Sequence, residues 1–235
     1  MKNILFILCI ALLGSPCKAQ TVKEQSVTVY DSLRDRKIPF AIYSDNSIPR
    51  GIVIFNHGYG ENYGGSYKSY AKLNKRIAAL GYYVVSIQHE LPTDELLAME
   101  GNLFITRMPN WKRGVENIAF IRNELLKLKP ELPWDNLILA GHSNGGDMTM
   151  LYAREYPKQI TKAISLDNRR MPVPRTSKPE IYYLKAYDYP TDDGVLPTEE
   201  EQSKFSIRIV KFPTVKHSGM GDQEPVIECV ENILK

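Results

Sequence analysis

Two kinds of apolar spacing alternate along the chain. Ser26–Leu33 and Lys37–Ser44 put apolar residues at every second position, the pattern of a β-hairpin near a sheet edge. Gly51–Gly58 (GIVIFNHG) is instead a continuous apolar run, as expected of a strand covered on both faces. Tyr82–Glu90, Asn136–Ser143, Ile160–Asn168, Ile181–Asp188 and Ser206–Pro213 are the further strands. Tyr67–Gly81, Trp111–Leu128, the stretch from Ser143 to Pro157, and Glu224–Lys235 carry helical spacing, with Gly81 and Pro157 as stops. Residues 91–110 are irregular and hold two prolines. A hairpin start followed by alternating strands and helices predicts an α/β fold, a mostly parallel central sheet flanked by helices. No repeat or linker divides the chain, so residues 20–235 are expected to form a single domain.

The first nineteen residues break this pattern. Lys2 precedes a short apolar run, Ile4–Leu13, and small residues lead to Cys17-Lys18-Ala19. This is the layout of a secretory signal peptide, with cleavage expected after Ala19. The run is too short to span a bilayer comfortably. Lipid attachment at Cys17 is an alternative that Ser15 and Pro16 suit poorly. Export to the periplasm or medium is therefore expected. Cleavage would leave Cys229 as the one cysteine, with no internal disulfide possible, so stability must come from the core.

Composition adds little beyond this. With 235 residues, 43% hydrophobic and 24% charged, the chain is ordinary globular protein. A net charge of +3 spread along the sequence does not point to nucleic acid.

The strand Asn136–Ser143 ends in Gly141-His142-Ser143-Asn144-Gly145, a G-x-S-x-G sequence running directly into a helix. Glycine there costs backbone entropy, so the bend must be needed. A serine at the apex of so sharp a turn projects its hydroxyl above the sheet edge as a nucleophile. It needs a base, and the chain offers His57, His89, His142 and His217. His142 adjoins the serine and is expected to point elsewhere. His217, in a glycine-containing loop after the last strand, is the expected base. The acid is expected between serine and histidine in chain order. Asp188, at the end of the strand Ile181–Asp188, is the first choice, with Asp192 and Asp193 as rivals. The backbone N–H groups of Asn144 and Tyr59 are the expected oxyanion donors.

Gly58, Gly60 and Gly64 approach a dinucleotide fingerprint, but the spacing is one residue too long and Glu61 would face a pyrophosphate. No phosphate loop is present and no histidine pair has metal-ligand spacing, so neither cofactor nor metal is expected.

These motifs resemble those of the α/β-hydrolases over almost the whole chain after residue 19. The stretches Leu166–Pro172 (LDNRRMP) and Asp188–Pro197 (DYPTDDGVLP) are similar to those of small exported bacterial members. The resemblance implies a serine hydrolase and fixes no substrate. The family's usual large lid falls between Asn168 and Ile181, where only about a dozen residues lie, which speaks against interfacial lipase action. Leu96, Leu97, Met99, Leu103, Phe104 and Met108 could line an acyl pocket, and Arg169, Arg170 and Arg175 could meet a substrate carboxylate. The expected reaction is hydrolysis of a small-molecule carboxylic ester through an acyl-enzyme, without stable membrane insertion. Amide or peptide cleavage and a non-catalytic binding module are the alternatives.

Overall fold

The computed structural model describes residues 21–235; the expected signal peptide and the Cys17 alternative lie outside the described residues. β1 (Lys23–Asp31) and β2 (Arg36–Ser44) form the antiparallel hairpin. β3 (Gly51–Asn56), β4 (Tyr82–Ile87), β5 (Leu137–His142), β6 (Lys162–Leu166), β7 (Glu180–Lys185) and β8 (Arg208–Lys211) run parallel to one another. The sheet order is β1-β2-β4-β3-β5-β6-β7-β8, with β2 antiparallel to β4.

The continuous apolar runs are explained by helices on both faces. Ile52, Ile54, Val85, Leu137 and Leu139 face α3 (Met108–Leu128) and α4 (Asn144–Glu155), where they meet Trp111, Ile118, Ile121 and Leu151. Val53, Phe55, Val84, Ile138 and Ala140 point the other way, onto Leu73 and Ile77 of α1 (Ala71–Ala79) and Val226, Ile227 and Val230 of α6 (Glu224–Leu234). Each fully buried aliphatic side chain contributes about 1.5–3 kcal/mol. Cys229, a free and half-buried thiol, packs against this second cluster.

The elements differ from expectation chiefly at their ends. β1 starts three residues early, as an edge strand whose exposed positions carry no apolar marker. The expected helix Tyr67–Gly81 is a 3-10 turn at Ser66–Lys68 followed by α1. A short α2 (Leu103–Thr106) occupies the irregular stretch, with Asn102 capping it. α5 (Glu199–Phe205) starts from a reciprocal cap between Thr198 and Glu201. β6 and β7 stop at Leu166 and Lys185, short of Asn168 and Asp188.

Those early stops matter because register places the strand tips side by side. His142 pairs with Leu166, and Leu166 with Leu184. Asn56 pairs with Gly141. The residues that follow β3, β5 and β6 therefore emerge together on one rim.

Candidate active site

Ser143 sits at that rim with φ 52 and ψ −119, a backbone conformation costing on the order of 1–3 kcal/mol for a residue with a side chain. The surroundings enforce it. A Cβ on Gly145 would lie 2.2 Å from the Asn56 carbonyl oxygen, and one on Gly141 would lie 2.4 Å from the Gly145 carbonyl oxygen. Only glycine lets β3, β5 and α4 converge this closely. The Ser143 amide donates to the Leu166 carbonyl at 3.0 Å, and the Ser143 carbonyl accepts the Asp147 amide at 2.9 Å. The turn is thereby held between β6 and α4.

His217 arrives from the loop after β8. Its Nε2 lies 2.9 Å from Ser143 Oγ, and its Nδ1 lies 2.7 Å from Oδ2 of Asp167. Asp167 is the first residue beyond β6, with φ 56, and its amide donates to the Leu184 carbonyl at 2.8 Å. The other carboxylate oxygen accepts Lys185 Nζ at 2.9 Å and the Ala186 amide at 3.2 Å. Burial alone would raise the Asp167 carboxyl, but the hydrogen bonds and charges of His217 and Lys185 outweigh it and hold the group below the usual carboxylate range. An ionised Asp167 accepts only. Nδ1 therefore carries the proton, and the Nε2 lone pair faces the serine hydroxyl.

Asp188 is displaced from the role expected of it. β7 ends at Lys185, and the chain then climbs past the ring, so that Asp188 Oδ1 accepts the backbone amide of His217 at 2.7 Å. Asp192 pairs with Arg170 at 2.9 Å. Asp193 makes no hydrogen bond or ion pair to His217, whose ring nitrogens meet Asp167 and Ser143. Sequence order allowed Asp167 as well as Asp188, but the strand expected through Asn168 enclosed it and left no tip at which to look for it.

His142 does point away from the serine. It is buried, which together with the nearby His217 charge pushes its pKa down to about 3, so the ring is neutral. Nε2 lies 2.9 Å from the His217 carbonyl oxygen and so donates to it. Nδ1 then accepts the hydroxyl of Tyr70 at 2.6 Å. That hydroxyl, whose pKa burial pushes up to about 12, in turn accepts the Gly58 amide at 3.2 Å. One chain of bonds thus ties the loop after β3, the serine turn and the His217 loop together.

His57 and His89 belong to a separate buried network. His57 Nε2 accepts the His89 amide at 3.0 Å, and His89 Nε2 lies 3.0 Å from Asn56 Oδ1. Burial, then the charges of His57 and two arginines, hold His89 well below the usual imidazole range.

The two expected oxyanion donors come from different elements. Asn144 opens α4, where amides have no intrahelical partner. Its side chain is fixed by accepting Trp111 Nε1 at 2.8 Å and by donating to Glu90 and Asn110 at 3.0 and 2.9 Å. Tyr59 lies in the loop after β3, and it lines with Ser143, His217 and Tyr70 a cavity of about 260 Å³. Ser66, Ser69 and Ser218 add hydroxyls to the same cavity. Tyr59 is also a wall of an adjoining cavity of about 400 Å³ with Glu61, Tyr63, Leu96, Leu97 and Met99. Of the other expected pocket residues, Phe104 stands 6.1 Å from the Trp111 ring and Met108 packs on the core.

The turn that carries Asp167 has its own foundation. Asp147, fully buried on α4, accepts the amides of Arg170 and Met171 at 3.1 and 2.8 Å and the side chain of Asn168 at 2.9 Å. Tyr183 donates its hydroxyl to the Asn168 carbonyl. Asn168, Arg170 and Met171 belong to the Leu166–Pro172 stretch, but nothing in the sequence tied that stretch to Asp147. Among the described residues no group of three or more His, Cys, Asp or Glu side chains is placed to hold a metal, and no helix is long and apolar enough to cross a membrane.

Comparison with known proteins adds to this geometry. The family model described as "Serine aminopeptidase, S33" matches residues 47–166. A "Probable serine hydrolase" of Drosophila melanogaster is 28% identical over 117 residues, which is 50% of this chain and 34% of that protein. The chain thus spans about a third of the length of that curated relative. Among solved structures, a dienelactone hydrolase from Anabaena variabilis is similar with a TM-score of 0.60 and 17% identity, over 91% of this chain and 95% of that one. A Pyrobaculum calidifontis esterase is similar with a TM-score of 0.62 and 16% identity, over 90% and 83% of the two chains. At these identities the likeness concerns the fold, which is that of the α/β-hydrolases.

Proposed function

The chain belongs to the serine aminopeptidase S33 family of α/β-hydrolases, and from that premise we propose that it hydrolyses a small carboxylic ester through an acyl-enzyme, with Ser143, His217 and Asp167 as its triad. The observation that carries the reading is the continuous contact from the Asp167 carboxylate through the His217 ring to Ser143 Oγ, at 2.7 and 2.9 Å.

The chemistry follows from the tautomer. Ser143 Oγ forms a bond to the ester carbonyl carbon while its proton passes to His217 Nε2. The carbonyl oxygen takes the negative charge, and the amides of Asn144 and Tyr59 are its proposed donors. Asp167 stabilises the imidazolium. As the carbon–oxygen bond of the leaving group breaks, Nε2 returns its proton to the departing alkoxide. Water then attacks the acyl-enzyme with His217 again as base, releasing the carboxylic acid and restoring the serine. The tight cavity at Ser143 suits a short acyl or alcohol part, and the neighbouring apolar cavity beyond Tyr59 suits a longer one.

An aminopeptidase needs carboxylates at its mouth to hold the substrate ammonium group. Here Asp188 is engaged by the His217 amide and Asp192 by Arg170. Peptide cleavage would have to seat that ammonium group on Glu61, in the wall of the adjoining cavity; ester hydrolysis asks for no such group.

A fluorophosphonate probe tests the reading. We expect stoichiometric labelling of the wild type, lost in Ser143→Ala, with turnover of 4-nitrophenyl acetate lost in parallel. A folded wild type that neither labels nor turns over esters would overturn it.

A further inference from the structure

The three arginines that follow the acid turn have different occupations. Arg175 is spent on the fold: its guanidinium donates to the carbonyls of Val173, Gly194 and Leu196 at 2.6, 3.1 and 2.8 Å and meets Glu201 at 3.2 Å. Arg170 is paired with Asp192 at 2.9 Å. Arg169 makes neither an ion pair nor a side-chain hydrogen bond among the described residues. Its guanidinium lies over the ring of Tyr189, 4.7 Å from the centroid. Tyr189 in turn stands edge-on to the His217 ring at 5.8 Å. A free cation is thus held one aromatic ring away from the catalytic imidazole.

Its setting sharpens the point. Arg107, buried, donates to the Ala98 carbonyl at 2.8 Å and has no carboxylate partner within ion-pair distance. Burial, then the charge of Arg170, lowers its pKa, with Asp147 opposing the shift, Arg169 adding to it and Asp192 opposing it. Of the acids around this turn, Asp167 is engaged by His217 and Lys185, Asp188 by the His217 amide and Asp192 by Arg170. With these carboxylates engaged, the partly exposed Arg169 guanidinium is left without an anion among the described residues. An anion that arrives with the substrate therefore finds this guanidinium unpaired. An arginine packed on a ring also loses little rotamer freedom on binding, and it keeps N–H groups at its edge for a planar anion.

We propose that Arg169 is the anion-binding element of this site, and that the substrate is an ester carrying a carboxylate on its acyl or alcohol part. The inference rests on the ester-hydrolase reading and narrows it. The bound carboxylate meets the guanidinium on Tyr189 and orients the scissile carbonyl over Ser143.

Two substrate pairs test it: mono-4-nitrophenyl glutarate against 4-nitrophenyl valerate, and 4-carboxyphenyl acetate against phenyl acetate, each corrected for spontaneous hydrolysis. In the wild type, kcat/KM is expected to favour the charged ester of at least one pair by about tenfold to a hundredfold, less so at high salt. Arg169→Gln should bring that ratio to about one, chiefly by raising KM for the charged ester, and Arg169→Lys should restore part of it. Circular dichroism and thermal unfolding verify that the variants fold. A wild type that prefers the neutral ester of both pairs, or a ratio untouched in folded Arg169→Gln, overturns the role of Arg169 while leaving ester hydrolysis standing. Absence of turnover on all four esters, with no fluorophosphonate labelling, overturns both.

Discussion

Replacing Asp167 with asparagine removes one charge and almost no volume, yet it strikes the proton path directly. In the wild type the carboxylate accepts from His217 Nδ1 at 2.7 Å, which leaves Nε2 free to take the serine proton. An asparagine that turns its amide nitrogen toward the ring donates to Nδ1 instead and shifts the ring proton to Nε2, where it faces Ser143 Oγ. The wrong tautomer and the loss of imidazolium stabilisation together should lower kcat by about 10³–10⁴-fold, or about 4–5.5 kcal/mol. The fold should survive, because Lys185 Nζ keeps its bond to the Tyr189 carbonyl and the Ala186 amide can still meet the asparagine oxygen. Asp188→Asn is the matched control. Its remaining oxygen can still accept the His217 amide, so the loss should stay within about tenfold. Steady-state turnover of 4-nitrophenyl acetate, with urea unfolding of both variants, decides the matter. Near-normal turnover in Asp167→Asn with a large loss in Asp188→Asn would refute the assignment.

Other parts of the account can be tested separately. Tyr70→Phe breaks both the bond to His142 Nδ1 and the acceptor of the Gly58 amide; kcat should fall about tenfold at nearly constant KM, with stability lowered by about 1–2 kcal/mol in urea. Gly145→Ala drives a methyl group into backbone carbonyl oxygens at 2.2 and 2.3 Å, so the urea midpoint should drop by an amount equivalent to about 3 kcal/mol or more. His142, with a folded pKa of about 3 against 6.5 unfolded, is neutral when folded and charged when unfolded between those values. The unfolded chain binds the extra proton there, so the His142 contribution to stability is complete above pH 6.5 and is lost as pH falls toward 3; unfolding free energies measured at pH 7 and pH 4.5 should differ less in His142→Asn than in the wild type.

Much of the architecture was legible because each local signal had one physical reading. Gly51–Gly58 could be continuously apolar only if both faces were covered, and α3 and α1 cover them. The glycines around Ser143 had no use except to let strand and helix converge, and the contacts at Gly141 and Gly145 show that convergence. His217 followed from its place after the last strand. The aspartate that meets the His217 ring was not the one expected, because a buried strand carries no internal mark of its end. Reading β6 through Asn168 hid Asp167 inside it, and reading β7 through Asp188 put that residue at a tip it has already passed. Only the pairing of Leu166 with His142 and with Leu184 reveals which aspartate stands level with the serine turn. Nor could the sequence separate the three arginines. Their occupations depend on carbonyls and acids brought near by the folded loop after Asp167.

The most direct test of a working Ser143–His217–Asp167 unit is a proton NMR spectrum of the ring N–H of His217, recorded for the wild type and for Asp167→Asn and Asp188→Asn. A proton held between Nδ1 and a carboxylate at 2.7 Å resonates far downfield of ordinary imidazole N–H signals. That resonance should be present in the wild type and in Asp188→Asn, and absent in Asp167→Asn. A downfield signal that persists in Asp167→Asn and vanishes in Asp188→Asn would contradict the account.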